Sequence, residues 1–281
     1  MTIIQAIFLG IVQGLAEFLP VSSSGHLAIF QYLFHIDTGS GILFDVMLHI
    51  GTLSAICVVY YKDIWKMIVE FFGMIADCFR KIKDHDIIIV NSAYRKFVLL
   101  IIVSTIPTGI IGYAAKNLVE AASATLLVPG ICLMITAVLL FIADRCNEGR
   151  KGPKNVTYLN AFEIGMAQGV ATLPGLSRSG TTITACLLCG LKKDFAVKYS
   201  FIMSVPAVLG AALLELKDAS GESVTAAMAG NYAAGMITAA VVGYIAIKTM
   251  ILVVKKKKYI IFSIYCMAAG LLAVCGYFFM K

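Results

Sequence analysis

Two short stretches of this 281-residue chain hold residue types that their apolar surroundings do not explain. The first reads Gln13-Gly-Leu-Ala-Glu17-Phe-Leu-Pro20-Val-Ser22-Ser23-Ser24-Gly25-His26. Gln13 and Glu17 are four apart, so a helix puts both on one face. Pro20 ends that helix, because the residue before a proline avoids the helical region. Ser22 or Ser23 then caps the next helix. A helix N-terminus lined with hydroxyls is an anion site, since its free N–H groups and dipole favour a phosphate. His26 falls one turn further along. Serines alone would be ordinary helix glue in a membrane. A carboxylate and an imidazole flanking one break point instead to function.

The second stretch reads Pro174-Gly175-Leu-Ser177-Arg178-Ser179-Gly180-Thr181-Thr182 and repeats the grammar of break and cap. Arg178 stands where the first copy has Ser23. An arginine at membrane depth is expensive unless it meets an anion. Glu17 is one such anion. A phosphate is the other, and the planar guanidinium suits two-pronged phosphate contact. Both fit if Arg178 is held near Glu17 until a substrate arrives. Asp45 and His49, again four apart, either line the mouth of the same cavity or pair with each other.

These stretches belong to a repeat. Shifting residues 6–25 by 155 positions gives eight identities in twenty: Ala6/Ala161, Gly10/Gly165, Gln13/Gln168, Gly14/Gly169, Ala16/Ala171, Ser22/Ser177, Ser24/Ser179 and Gly25/Gly180. Spanning-length apolar runs lie at roughly 42–61, 97–115, 125–143, 197–215, 231–254 and 259–279, while 3–36 and 160–191 are apolar but broken. Three spans separate the two copies, an odd number. If each broken segment re-enters and returns to its own side, the copies face opposite surfaces, which makes an inverted-topology repeat. The fold expected is an all-α polytopic membrane protein with six transmembrane helices and two re-entrant broken-helix pairs. Residues 1–281 form one membrane domain: repeat A over 1–143, a connector over 144–155 and repeat B over 156–281. The breaks meet near mid-membrane, where irregular backbone is tolerated if it lines a cavity.

Composition agrees. Hydrophobic residues make up 60% and charged residues 14%, with a mean hydropathy of +0.90, far from the roughly one-quarter charged content of soluble chains. The 3–36 segment has no basic leader and carries Gln13 and Glu17, unlike a signal peptide. The net charge of +7 is no nucleic-acid footprint, because its cations cluster at Arg80, Lys81, Lys83, Arg95 and Lys96, at Arg145, Arg150, Lys151 and Lys154, at Lys192 and Lys193, and at Lys255–Lys258. The positive-inside rule puts all four clusters on the cytoplasmic side and both termini outside. The eight cysteines sit singly, with no metal-type spacing.

The first stretch resembles the (E/Q)xxxE block of the undecaprenyl-diphosphate phosphatase family, also called bacitracin-resistance proteins. The Pro174–Thr182 stretch is similar to that family's PGxSRSxxT block. The resemblance covers the whole chain, with Gln13 where some members carry glutamate, so Glu17 is the only carboxylate of the block. It implies an enzyme of the bacterial plasma membrane that recycles the lipid carrier of peptidoglycan synthesis and confers bacitracin resistance. The substrate is a polyprenyl diphosphate, the cofactor a divalent cation (Mg²⁺ or Ca²⁺), and the site opens to the outer face. The type-2 phosphatidic acid phosphatases are a poor match, because no histidine follows Arg178 and no Arg-Pro occurs.

On this reading Glu17, Ser23, His26 and Arg178 are catalytic. Ser23 is the candidate nucleophile, unless a metal-activated water replaces it. Glu17 binds the metal or accepts the serine proton, and His26 is the second acid/base. Gln13, Ser22, Ser24, Ser177, Ser179 and Thr181 hold phosphate oxygens. The rival reading is a transporter or flippase of a polyprenyl phosphate, since inverted repeats with broken helices are a transporter architecture. Such a protein needs Arg178 and the caps, but not Glu17, Ser23 and His26 together.

Overall fold

The computed structural model describes residues 1–34, 36, 41–82, 88–123, 125–147, 149–218, 225–256 and 258–279. Lys83 and Lys257 of the basic clusters lie outside them. The described residues are helical, apart from loops and one isolated pairing of Lys151 with Leu191. The first broken segment forms α1 (Ile3–Phe18) and α2 (Ser23–Leu33). After it come α3 (Gly41–Val59), α4 (Tyr61–Lys81), α5 (Ala93–Ala114), the short α6 (Lys116–Ser123) and α7 (Leu127–Arg145). The second broken segment forms α8 (Tyr158–Val170) and α9 (Arg178–Leu188), followed by α10 (Lys193–Asp218), α11 (Ala226–Lys255) and α12 (Tyr259–Phe279).

Five of these helices (α5, α7, α10, α11 and α12) are long and apolar enough to cross a membrane. A sixth span results if α3 and α4, bent by 85° to each other, are taken as one. Their outward residues are large and apolar, among them Ile110, Leu213, Ile245 and Leu272, as lipid contact requires. The chain is a multi-pass membrane protein. Hydropathy alone does not pick out the short α6 or the long α4, whose seven charged residues within 61–81 dilute its apolar ones.

Packing follows small residues. Helix α1 lies along α11, α8 along α5, α12 along α7 and α3 along α11. Gly10 and Gly14 let α1 approach closely: a Cβ at Gly10 would stand 2.6 Å from the Gly235 carbonyl oxygen, and one at Gly14 2.8 Å from Val242 Cβ. Gly165 and Gly169 do the same for α8, where a Cβ would strike the Ser104 carbonyl and Ile111. Without a hydrophobic drive between helices in lipid, such close backbone contact is a main source of association. Each helix N-terminal to a break is thereby fixed against a long neighbour.

Contacts bring segments of all four basic clusters near one another. Lys96 sits over the Tyr158 ring at 3.3 Å from its centroid. Lys151 exchanges backbone hydrogen bonds with Gly190 and Lys192 at 3.0 Å each. Asp144 Oδ1 accepts the Ile260 N–H at 3.2 Å. Arg95, however, is a buried structural residue rather than a free surface cation: its guanidinium donates to Glu70 and Asp77 at 2.7 Å each.

Candidate active site

The two breaks are built differently and meet. Helix α1 stops at Phe18, and Leu19, which precedes Pro20, is extended at φ −71°, ψ 142°. Ser22 takes the cap position before α2 with φ 69°, a left-handed conformation that costs a non-glycine residue roughly 1–3 kcal/mol. In the second break Gly175 carries the left-handed φ of 88°. Ser177 caps α9 by accepting the Gly180 N–H at 3.2 Å. Thr136 of α7 clamps this turn, accepting the Ser177 N–H at 2.9 Å and donating to the Gly175 carbonyl at 3.4 Å. The breaks touch where Ser179 Oγ donates to the Leu19 carbonyl at 3.4 Å.

Glu17 is the centre of the assembly. Its Oε1 forms an ion pair with Arg178. Its Oε2 accepts the Ser23 hydroxyl at 2.7 Å and the Gln13 amide at 3.1 Å. The carboxylate is 6% exposed and the Arg178 side chain 25%, so one edge of the pair is open. Taking a carboxylate out of water is tolerable only with such compensation. Ser23 and Arg178, equivalent positions of the repeat, thus converge on one carboxylate from the first turns of α2 and α9. A crevice beside them is lined by Phe18, Ser179, Ser200, Phe201 and Ser204.

His26 is placed less directly. It is buried, its Nδ1 lies 2.8 Å from the Ser22 carbonyl and its Nε2 2.6 Å from the Tyr265 hydroxyl. A carbonyl only accepts, so Nδ1 carries the hydrogen and Nε2 accepts from Tyr265. The left-handed turn at Ser22 is therefore what presents that carbonyl to the ring, and Tyr265 of α12 stacks on it at 5.6 Å and 14°. His26 belongs to the same break as Ser23 without being hydrogen-bonded to it.

The remaining residues fall around this centre. Ser22 and Ser24 hydroxyls lie 3.4 Å apart, as do those of Ser177 and Ser179. Ser24 is exposed, while Thr181 Oγ1 is buried without a hydrogen-bond partner among the described residues. His49 reaches the site itself, with Nδ1 3.0 Å from Gln13 Nε2 and 3.9 Å from Glu17 Oε2. Asp45, one turn earlier on α3, accepts from Gln31 near His49. His49 therefore serves the Gln13–Glu17 face, which its four-residue spacing from Asp45 does not reveal. Tyr265, Ser200 and Ser204 carry no signal of this kind in the sequence, because they sit in unbroken apolar helices far along the chain.

The chain matches the family model described as bacitracin resistance protein BacA over residues 6–272. An undecaprenyl-diphosphatase of Alkaliphilus metalliredigens is 42% identical over 274 residues, covering 98% of each chain. One from Methanosphaera stadtmanae is 39% identical over 97% of each chain, and one from Methanobrevibacter smithii 40% over 98%. With both breaks inside the matched region and full-length relatives at this identity, the chain belongs to the bacitracin resistance protein BacA family.

Proposed function

We propose that this chain hydrolyses undecaprenyl diphosphate to undecaprenyl phosphate and inorganic phosphate, returning the lipid carrier to peptidoglycan synthesis. The observation that carries this reading is the Ser23–Glu17–Arg178 arrangement, a hydroxyl hydrogen-bonded to a carboxylate that also holds a guanidinium. The names of the relatives agree with it.

Arg178 exchanges Glu17 for the terminal phosphoryl group when the diphosphate enters, which leaves the carboxylate free to take a proton. Ser23 Oγ attacks the terminal phosphorus as its hydrogen passes to Glu17 Oε2, and the anhydride P–O bond breaks with undecaprenyl phosphate leaving. Water then attacks the phosphoserine. Its proton is taken up within the site, Ser23 regains its own from Glu17, and inorganic phosphate departs. The transition state spreads charge over the phosphoryl oxygens, so positioning and charge neutralisation by Arg178 and the α2 and α9 N-termini supply most of the catalysis. Ser22, Ser24, Ser177, Ser179 and Thr181 supply further donors.

A divalent cation suits this site. Gln13 Oε1 is buried and lacks a hydrogen-bond partner among the described residues, and it adjoins Glu17. Those two oxygens would hold Mg²⁺ or Ca²⁺ together with phosphate oxygens, as hard cations prefer. No group of three His, Cys, Asp or Glu able to hold a metal occurs among the described residues, so Gln13 and Glu17 are the residues that would hold the ion. Bound there, the cation would neutralise phosphoryl charge. The expected result is phosphate release from a polyprenyl diphosphate in detergent that falls at least about tenfold with a chelator and returns on adding Mg²⁺ or Ca²⁺. No phosphate release under any of these conditions would sink the enzyme reading and favour a polyprenyl-phosphate transporter.

His26 is placed to handle the water proton once Tyr265 yields Nε2. Tyr265→Phe should lower kcat about tenfold with KM within a factor of two, since it removes a donor that orients the imidazole without touching the phosphate. Turnover equal to the unsubstituted chain would leave the ring stack, and not the hydroxyl, as what holds His26.

The packing supports an inverted repeat of 1–143 and 156–281 within one membrane domain. If α1 corresponds to α8 and α5 to α11, then α1 on α11 and α8 on α5 are the same contact exchanged between halves. Gly10 with Gly14 and Gly165 with Gly169 are its equivalent seats. His49 lies near the middle of α3, which favours a site close to mid-membrane; its opening to the outer face is what the family resemblance implies.

A further inference from the structure

Helix α4 carries two opposite faces. Asp63, Met67, Glu70, Met74 and Asp77 are spaced four and three apart and so share one face. Both methionines are buried, and every acid on that face is engaged within the protein. Asp63 accepts from Tyr94 and Lys198 at 2.8 and 2.9 Å, and Glu70 and Asp77 hold Arg95 at 2.7 Å. The opposite face, at the same spacing, is Tyr61, Trp65, Ile68, Phe72, Ile75 and Phe79. Trp65 is 65% exposed, Phe72 63% and Phe79 70%. Exposed Lys62, Lys66 and Arg80 run along the flank between the two faces, with Lys81 at the helix end.

We infer that α4 is a membrane-surface helix whose aromatic face enters the headgroup boundary and whose flanking cations bind anionic glycerophospholipids. The 85° bend from α3 lays α4 nearly parallel to the membrane plane if α3 crosses it. Asp63 is engaged by Lys198, Glu70 by Arg95, and Asp77 by Arg95 and, at 3.7 Å, by Arg80, which leaves the flank with a net positive charge, the charge that an anionic headgroup complements. Tryptophan and tyrosine on a cation-flanked helix are what such a boundary selects. The Arg95 clamp explains how the helix keeps this face outward: turning it would break both ion pairs to the buried Arg95 at once.

Trp65 is the only tryptophan of the chain, so its fluorescence reads this helix alone. The full-length protein is placed in nanodiscs of phosphatidylcholine containing phosphatidylglycerol, with bromine on either lipid at a shallow or a mid-chain position. The expected result is strongest quenching by the shallow label, and about threefold stronger quenching by brominated phosphatidylglycerol than by brominated phosphatidylcholine at equal mole fraction. In the variant Lys62→Gln/Lys66→Gln/Arg80→Gln/Lys81→Gln the two lipids should quench equally. Strongest quenching by the mid-chain label would show α4 to be part of a span. No quenching would show it covered by protein or water, and equal shallow quenching by both lipids in the unsubstituted chain would remove the headgroup selectivity. Each of those three results overturns the inference, and none depends on the variant folding.

Discussion

Glu17→Gln should reduce phosphate release at least about a thousandfold, within the range for loss of a general base, while binding of a polyprenyl phosphate persists. The amide keeps the size of the carboxyl group and still accepts the Ser23 hydroxyl, now found at 2.7 Å. It does not take a proton near neutral pH or neutralise a cation. Gln13 cannot stand in, being an amide already. The variant also leaves Arg178 without its partner. Stranding one member of a fully buried pair costs about 3–5 kcal/mol, and less here because a quarter of the Arg178 side chain is exposed. An anion repays that loss, so the product should bind as tightly as before or more tightly. The measurements are phosphate release and binding of polyprenyl phosphate on the same purified protein. Cleavage at the unsubstituted rate would remove Glu17 from the chemistry. If binding disappears together with cleavage, the carboxylate is holding the site together rather than moving a proton.

How much of this centre is legible in the sequence depends on the distance between its parts. The repeat is legible because it preserves residues at a fixed offset, and that offset alone sets Arg178 against Ser23. The proline and the glycine announce the two breaks, since each restricts or frees backbone in a way other residues do not. The expected Glu17–Arg178 pairing is present. His26 is a subtler case. Helical spacing brings it one turn beyond Ser23, but spacing does not say which way a ring turns, and Ser22 and Tyr265 turn it. Tyr265, 239 positions away, leaves no local trace, being one aromatic residue in an apolar helix. His49 is visible as an ionisable group in a span, yet spacing does not decide whether its partner is Asp45 or the site. Helix α4 is legible in principle, because Asp63, Glu70 and Asp77 fall seven apart on one face and Tyr61, Trp65, Phe72 and Phe79 on the other. Hydropathy averaged over the segment hides that order, and a loop rich in charge gives the same average. Gly10, Gly14, Gly165 and Gly169 stand among the repeat identities. That they mark helix seats becomes clear only from the Gly235 and Ser104 carbonyls opposite them.

Arg178→Lys should lose about a hundredfold or more in kcat although the charge is kept, a size comparable to removing one donor from an oxyanion site. The guanidinium spans two acceptors with a rigid planar fork, whereas an ammonium is a compact, strongly hydrated point. In the resting site one arm of that fork already holds Glu17 Oε1. A substrate phosphoryl group offers the same two-oxygen edge, so exchange of partners needs little movement of the arginine. Lysine can keep the electrostatic half of this arrangement and with it much of the ground-state affinity, so KM should move less than kcat. Arg178→Ala separates the two contributions: it removes the charge as well, leaves Glu17 buried without its cation, and should lose both turnover and affinity. If lysine turned over at the rate of arginine, charge alone would be sufficient and the fork would have no part in the transition state. If lysine and alanine were equally inactive and both unstable to heat in detergent, Arg178 would be acting mainly as the structural partner of Glu17. A kcat loss in lysine with stability intact is the result that ties the convergence of the two breaks to phosphoryl transfer, since only there must two oxygens be gripped while charge spreads over them.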